Sequence, residues 1–126
     1  MFGKLELIHM AQSLARHAGV RQAEIARNIA NADTPGYRAQ DLQPFVDSYG
    51  DNLLAPRHSR PRHFGAAQGA GEARPIHTAD AAEPNGNSVS LETEMLRAAE
   101  VRQQHDMALA IYRSSADILR SSLGRR

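Results

Sequence analysis

The feature that most constrains this chain is the abrupt end of an apolar repeat between Asn28 and Tyr37. Pro35 has no backbone N–H and disfavours helical angles at Thr34, so a helix that enters this segment must end within it. The Pro35-Gly36 pair suits a type II turn, because glycine readily adopts the positive φ that this turn requires. The sequence therefore predicts a helix that stops at a defined turn, after which Tyr37 begins an extended segment.

The segment before the turn, from Leu5 to about Ala32, has the periodicity of an amphipathic helix. Apolar and small residues recur at alternating spacings of three and four, which is a heptad seam with Gln22 as its one polar member. A seam of this kind predicts a helix that packs along its length against another helix. The predicted seam consists of Ile8, Ala11, Ala15, Ala18, Gln22, Ile25 and Ile29.

A second and longer heptad seam occupies the C-terminal end of the chain. Ser90 is a suitable N-cap, and acidic residues in the first turn with arginines near the end complement the helix dipole. A neighbouring apolar stripe predicts that this helix is contacted on more than one side; it consists of Val101, Ala108, Ile111 and Ile118. The predicted seam itself consists of Leu91, Met95, Ala98, Arg102, His105, Leu109, Tyr112, Ala116, Leu119 and Leu123.

Composition limits the core that these helices can form. Hydrophobic residues make up 41% of the 126, but many are alanine, and the chain has no Trp, three Phe and three Tyr. Two alanine-rich helices packed only on each other would leave apolar surface exposed, and such surface typically marks a partner site. The net charge of +1 gives no electrostatic reason to expect nucleic acid or a membrane surface. The absence of cysteine excludes disulfides, thiolate metal sites and cysteine nucleophiles.

These patterns predict a mostly α protein in which long N- and C-terminal helices pair as a coiled-coil-like bundle. We divide the single domain into residues 1–38 (helix and turn), 39–87 (polar middle) and 88–126 (second helix). From Gly50 onward the composition shifts to Pro, Gly, Ala, Arg and His, which is typical of a loop with at most a short β-hairpin. A short strand is predicted just before it, at Leu42, Pro44, Phe45 and Val46.

No residue pattern predicts catalysis, a cofactor or a metal site. His58 and His63 lie in a basic loop and His77 follows, but no further ligands or rigid frame accompany them, so a solvated loop is favoured. His105 lies on the helix seam beside Arg102, where a polar contact that fixes helix register is favoured over catalysis. No nucleophile elbow and no phosphate-binding loop is present. We therefore predict that the protein is not an enzyme.

The arginines of the middle segment support a hypothesis of a different class, a nucleic-acid-binding coiled coil. Its basic loop would run from Arg57 through Arg60 to Arg62, with Arg74 beyond. No aromatic residues are interleaved with these arginines for base stacking, and the helices carry no basic face. A solubilising loop is the favoured interpretation, and nucleic-acid binding remains the alternative.

Two stretches of the chain resemble those of a known family. The segment from Asn28 to Tyr37 resembles the N-x-A-N-x-x-T-P-G-Y signature of the bacterial flagellar rod, hook and hook-associated axial proteins. The segment from Asn85 to Met95 is similar to the G-N-S-V-x-L-E-x-E-M stretch of proximal rod proteins in that family. Ser90 stands where family members often carry Asp, and both residues are good N-caps. The short length and small middle segment also fit, since other members are longer and have an added outer domain.

The resemblance implies a structural subunit of the proximal rod in the flagellar basal body. Such subunits are exported through the flagellar type III apparatus without a cleaved signal and polymerise into a helical tube that crosses the periplasm. The implied partners are other copies, rod proteins of the FlgC, FlgF and FlgG type, the rod–MS ring junction protein FliE and the export gate, with no nucleic acid and no small-molecule substrate. Another axial protein, such as FlgC, is the nearest alternative. Residues 1–8 lack the features of a signal peptide, which agrees with this route or with a cytoplasmic protein.

Two sets of residues are predicted to matter for assembly. The residues that shape the turn after the first helix are, by the resemblance, Asn28, Asn31, Thr34, Pro35, Gly36 and Tyr37. The residues predicted to form helix packing or subunit interfaces are Ile8, Ile25, Ile29, Leu91, Met95, Leu109, Tyr112, Leu119 and Leu123.

Overall fold

Two long helices dominate the protein. The computed structural model describes residues 2–54 and 73–124. Helix α1 spans Phe2–Ala30, and helix α3 spans Leu91–Leu123, which at 33 residues is about 50 Å long. The two run antiparallel, because Asn28 at the end of α1 contacts Glu94 at the start of α3. The prediction of a mostly α protein with paired terminal helices is confirmed.

The interface between α1 and α3 is made largely of small side chains. Ala18, Ile25 and Val101 form its buried apolar centre, with Ala98 packed against them. Because alanine lacks bulk, the two backbones can approach closely, but each contact buries little area. One row of buried positions on each helix has a spacing of seven residues: Ala11, Ala18 and Ile25 on α1, and Glu94, Val101, Ala108 and Ser115 on α3.

On α1 the packing seam follows one of the two rows that the heptad pattern predicted, whereas on α3 it follows neither row and runs through the neighbouring stripe instead. On α3, Val101 and Ala108 are buried, whereas the predicted Arg102 is exposed and Leu109 is half-buried. A heptad seam contains two alternating rows of residues. Because a further apolar stripe flanks them on α3, the helix can rotate about its own axis by one residue position and still bury apolar side chains. The rotation places Arg102 in water, where its charge needs no partner.

The middle segment contains a two-stranded sheet and a short helix. Strand β1 spans Gln40–Leu42, helix α2 spans Phe45–Leu54, and strand β2 spans Pro75–His77. The strands pair antiparallel, with Asp41 opposite Ile76. They are far apart in sequence, so the sheet is a long-range pairing and not a tight hairpin.

The predicted strand across Phe45 and Val46 is wrong, because both residues belong to α2. Pro44 immediately precedes this helix, and its carbonyl accepts hydrogen bonds from the backbone N–H groups of Asp47 and Ser48. A fixed φ at the helix start and an acidic residue in the first turn both favour helix over strand.

Helix α2 packs on α1 through an aromatic contact. The rings of His17 and Phe45 meet edge to face, with centroids 5.6 Å apart, and Tyr49 stacks on Phe45 at 5.3 Å. His17 Nε2–H donates a hydrogen bond of 2.9 Å to the carbonyl of Gln43. The sheet and α2 therefore cover one side of α1. None of the helices in the described residues has the length and apolar character that a membrane span needs.

Candidate functional site

The turn after α1 has the geometry that its sequence predicts. Tyr37 N–H donates to the Thr34 carbonyl at 3.2 Å, and Gly36 adopts a φ of +73°. Asn31 donates from Nδ2 to the Arg27 carbonyl at 2.8 Å, and its Oδ1 accepts from the Thr34 hydroxyl at 3.2 Å. The side chains of Asn31 and Thr34 thus close the last turn of the helix locally.

A second asparagine, more than fifty residues away in sequence, completes the end of α1. Asn87 is 1% exposed, and its Nδ2 lies 3.0, 2.7 and 2.9 Å from the carbonyl oxygens of Asn31, Ala32 and Thr34. Its Oδ1 accepts a hydrogen bond of 2.8 Å from Val89 N–H. The carbonyls at the end of a helix have no partners within it, so this single amide satisfies groups that would otherwise need water.

The side-chain amide of Asn28 pairs with the backbone of β1 as a neighbouring strand would. Its fully buried side chain donates from Nδ2 to the Gln40 carbonyl at 2.7 Å and accepts at Oδ1 from Gln40 N–H at 3.1 Å. It also donates to Glu94 Oε2 at 3.1 Å and accepts from the Tyr37 hydroxyl at 3.3 Å. Every polar atom of the amide is therefore used, which is what burial of a polar group requires.

Backbone bonds join the turn to the loop that precedes α3. Gly36 N–H donates to the Asn85 carbonyl at 3.0 Å, and Ser88 N–H donates to the Tyr37 carbonyl at 3.0 Å. Gly86 has a φ of +83°, and a Cβ added there would lie 3.3 Å from the Gly36 Cα. Both the conformation and the close approach favour glycine at position 86. We call this hydrogen-bonded unit, residues 28–37 with residues 85–88, the clasp.

Charged side chains extend the clasp toward the sheet. Glu94, which is fully buried, accepts hydrogen bonds from Arg97 as well as from Asn28. Arg97 also pairs with Asp80 at 3.0 Å, and Arg21 binds Asp41 through two hydrogen bonds of 2.7 Å. The Arg21–Asp41 pair joins α1 to β1, and Arg97, which also lies 4.0 Å from Asp41, joins α3 to β1 and to the loop after β2.

Among the members of these ion pairs, Asp41, Asp80 and Arg21 have shifted pKa values. Burial raises the pKa of Asp41, but hydrogen bonds from Arg21 and Leu42 N–H outweigh burial and leave it below its usual range. The pKa of Asp80 is also lowered, first by a hydrogen bond from Thr78 and then by Arg97. The hydrogen bond to Asp41 raises the pKa of Arg21. All of these groups are held in their charged forms.

The clasp stabilises a conformation and offers no arrangement for chemistry on a substrate. The carboxylates next to it, Asp41 and Glu94, are engaged by arginines, and its amides are engaged by backbone groups. Within residues 2–54 and 73–124, no three potential metal-ligating side chains lie together. Of the histidines considered as ligands, His77 is exposed on β2, whereas His58 and His63 lie outside the described residues. Arg57, Arg60 and Arg62 also lie outside them, and Arg74 is exposed.

Most of the predicted packing residues are on the surface of this chain. Ile25 lies in the core of the helix pair, and Ile8, Leu109 and Leu119 are half-buried. The exposed ones are Ile29 at 40%, Leu91 at 44%, Met95 at 66%, Tyr112 at 38% and Leu123 at 74%. Their role within the chain is therefore small, and a role in subunit contacts stays a prediction.

A groove follows the side of the helix pair that the sheet and α2 leave uncovered. It has a volume of about 560 Å³, and small residues of both helices line it, among them Ala18, Gly19, Ala98 and Ala99. The charged and polar groups at its border include Arg102 and His105. Small residues along a groove allow the backbone of a second helix to approach closely.

Sequence reasoning missed the residues that hold the clasp together from the α3 side. Glu94 was interpreted only as an acidic residue near a helix N-terminus, and Asn87 was part of a similarity with no assigned role. The local signal for Asn87 was its place in Asn85-Gly86-Asn87, a turn sequence before a helix. Its three carbonyl partners carry no sequence signal, because any residue supplies a carbonyl.

Known proteins match this chain in the region of the clasp and beyond. Residues 17–38 match the family described as flagella basal body rod protein. Over 116 residues, the chain is 30% identical to the flagellar basal body rod protein FlgB of Agrobacterium fabrum, covering 87% of each chain. The matched family segment contains the end of α1 and the whole turn.

Proposed function

The chain belongs to the FlgB family of flagellar basal body rod proteins, and we propose that it polymerises at the proximal end of the rod into the helical tube that crosses the periplasm. As a member of that family it is a structural subunit of the basal body rod and assembles with other basal body components. The nucleic-acid alternative is not favoured. The observation that carries the finer proposal is the clasp, because it joins the two stretches that resemble the family into one hydrogen-bonded unit.

The clasp has a clear role in such a subunit. It holds together the end of the helix pair at which α1 ends and α3 begins, which we call the closed end. It thereby sets the angle and register between α1 and α3. A tube built from many copies repeats any error in subunit shape, so a rigid closed end favours regular assembly. We assign this positioning role to the turn residues, which are Asn28, Asn31, Thr34, Pro35, Gly36 and Tyr37, and treat segments 1–38, 39–87 and 88–126 as one rod-type domain.

Exposed apolar side chains supply the contacts between subunits. Met95 and Leu96 are 66% and 68% exposed near the closed end, and Tyr112 and Leu123 are exposed toward the other end. Contacts between different faces of identical subunits generate a helical assembly when the rotation between neighbouring copies does not close into a ring. The proposed interface therefore comprises Ile8, Ile29, Leu91, Met95, Leu109, Tyr112, Leu119 and Leu123.

The proposal includes the partners and the route to the periplasm. The partners are copies of this chain, rod proteins of the FlgC, FlgF and FlgG type, the junction protein FliE and the export gate. The subunit travels through the flagellar type III apparatus without cleavage of a signal. It carries out no catalysis in this role, since the clasp residues are committed to structure.

Electron microscopy of basal bodies tests the proposal. A strain that lacks the gene is expected to form membrane rings without a rod, and the wild-type gene should restore the rod. Intact rods and filaments in the deletion strain would overturn the assignment.

A pair of matched variants tests the interface. Met95→Asp places a charge on the proposed contact surface, whereas Gln103→Asp places the same charge at another exposed position of α3. Both purified variants should keep wild-type helicity by circular dichroism, because neither side chain is buried. Only Met95→Asp should abolish rods and motility, and wild-type rods in that variant would remove Met95 from the interface.

A further inference from the structure

The clasp contains an Asn-Gly pair, the sequence in which an asparagine side chain reacts most readily with the next backbone amide. We propose that Asn85-Gly86 is a site of spontaneous deamidation that the closed clasp suppresses, so that Asn85 changes chemically only when the clasp opens. The inference does not depend on the proposed function.

The reaction is intramolecular and needs only water as a co-reactant. The Gly86 nitrogen loses its proton and attacks Asn85 Cγ, the new N–Cγ bond closes a five-membered succinimide, and the Cγ–Nδ2 bond breaks to release ammonia. Water then opens either carbonyl of the ring and leaves aspartate or isoaspartate at position 85. Glycine favours the attack because no Cβ shields its nitrogen.

The peptide group between Asn85 and Gly86 is held at both of its polar atoms. Its carbonyl accepts a hydrogen bond of 3.0 Å from Gly36 N–H, and its N–H donates one of 2.8 Å to the Glu83 carbonyl. The attack requires this nitrogen to be free and the peptide group to rotate relative to the Asn85 side chain. Both bonds must therefore break before the ring can close.

The Asn85 side chain is held as well. Its Oδ1 accepts a hydrogen bond of 2.9 Å from Asn87 N–H, which fixes the direction of the amide. Asn85 is nevertheless exposed, so water and hydroxide reach it freely. Protection must come from the locked geometry and not from exclusion of solvent.

The modification would be damaging once it occurred. Isoaspartate routes the backbone through Cβ and Cγ of residue 85. One methylene is thereby added to the main chain between the Cα of residue 85 and the nitrogen of Gly86. The two glycines are close, since a Cβ added at Gly86 would lie 3.3 Å from Gly36 Cα, so a longer chain at this point must displace one segment from the other. A chain that has reacted in this way is expected to lose the contacts of Asn87 to the end of α1.

The first test compares the full-length protein in native buffer and in urea at the same mildly alkaline pH. Proteolytic peptides that contain position 85 are separated and weighed over time, which distinguishes asparagine, aspartate and isoaspartate. We expect conversion in native buffer to be at least about tenfold slower than in urea, since it requires a minor open state. Equal rates in the two conditions, or no conversion in urea, would overturn the proposal.

The second test opens the clasp without denaturant. Asn87→Ala removes the donor to three carbonyls and should raise the native rate at Asn85 severalfold toward the urea rate. Ser121→Ala, at an exposed site near the far end of α3, should leave the rate unchanged. Circular dichroism establishes whether each variant is folded. If Asn87→Ala is folded and Asn85 reacts at the wild-type rate, the clasp is not the source of protection. If that variant is unfolded, the comparison of the wild-type protein in native buffer and in urea decides alone.

Discussion

Replacement of Asn87 by alanine is the most direct test of how the clasp stabilises this protein. The side chain is 1% exposed and lies within 3.0 Å of three carbonyl oxygens at the end of α1. Its Nδ2 has only two hydrogens, so the three contacts amount to about two full hydrogen bonds. The bond from Val89 N–H to Oδ1 adds a third.

The magnitude follows from this count. A hydrogen bond contributes a net of about 1 kcal/mol, and a buried group left without a partner costs about 1–3 kcal/mol. Thr34 is exposed, so water can replace one of the lost contacts, whereas Val89 N–H is buried. We therefore expect Asn87→Ala to lower the free energy of unfolding by about 2–3 kcal/mol.

A second variant at the same position separates the two halves of the amide. Asn87→Asp keeps an acceptor for Val89 N–H but places a carboxylate oxygen against carbonyl oxygens. At neutral pH it should therefore destabilise the protein more than Asn87→Ala, even though its shape is closer to asparagine.

Urea unfolding followed by far-UV circular dichroism measures both variants. Gln103→Ala, at an exposed position of α3, is the control and should change the free energy of unfolding by less than about 0.5 kcal/mol. Hydrogen exchange at Gly36 and Tyr37 should accelerate in both Asn87 variants, because their amides lie in the clasp. A free energy for Asn87→Ala within about 0.5 kcal/mol of wild type would refute the count of bonds.

Three further predictions follow from the glycines, the ion pairs and the helix seam. Gly86→Ala should lower the free energy of unfolding in urea by about 1–2 kcal/mol, because Gly86 has a positive φ and a close contact. Gly19 lies in a helix with open space around it, so Gly19→Ala should raise the free energy of unfolding by up to about 1 kcal/mol. The pKa of Asp41 is lowered in the folded state, so the unfolded chain binds the proton more tightly than the folded protein does. The stabilisation that Asp41 contributes is therefore full above about pH 4, and it is lost as the pH falls through the folded-state pKa. Urea midpoints between about pH 6 and about pH 3 should show this loss, and Arg21→Met should flatten it; an unchanged slope would exclude the pair as its cause. Leu109→Asp, at a half-buried position, should prevent incorporation into rods, and normal motility would count against that surface.

Local chemistry explains why some elements were predictable. The turn at Thr34-Pro35-Gly36 depends on the fixed φ of proline and on the freedom of glycine, and both act within three residues. The N-cap is equally local: Ser90 has extended backbone angles, and its hydroxyl accepts from Thr93 N–H. The existence and length of both long helices followed from periodicity over many turns, which averages out local exceptions.

Two predictions were wrong because the local pattern allowed two structures: strand or helix after Pro44, and one row or its neighbour as the buried face of α3. Phe45 and Val46 have high strand propensity, but the helix start at Pro44 and the ring of His17 outweigh it. The packing seam was predicted to pass through Arg102, because spacing alone cannot decide which of two adjacent rows faces the partner helix.

The positions of the two helices, the end of the first one and the family that the turn resembles were all predictable without the structure, because these features depend on interactions between neighbours in the chain. The folded structure was needed to show that Asn87 completes the end of α1, that Asn28 pairs with a strand edge, and that Glu94 is buried between them. The physical reason is that a buried polar group requires a partner but does not specify which one. The partners here are backbone carbonyls and amides, which every residue offers, so their identity depends on how the chain brings distant segments together.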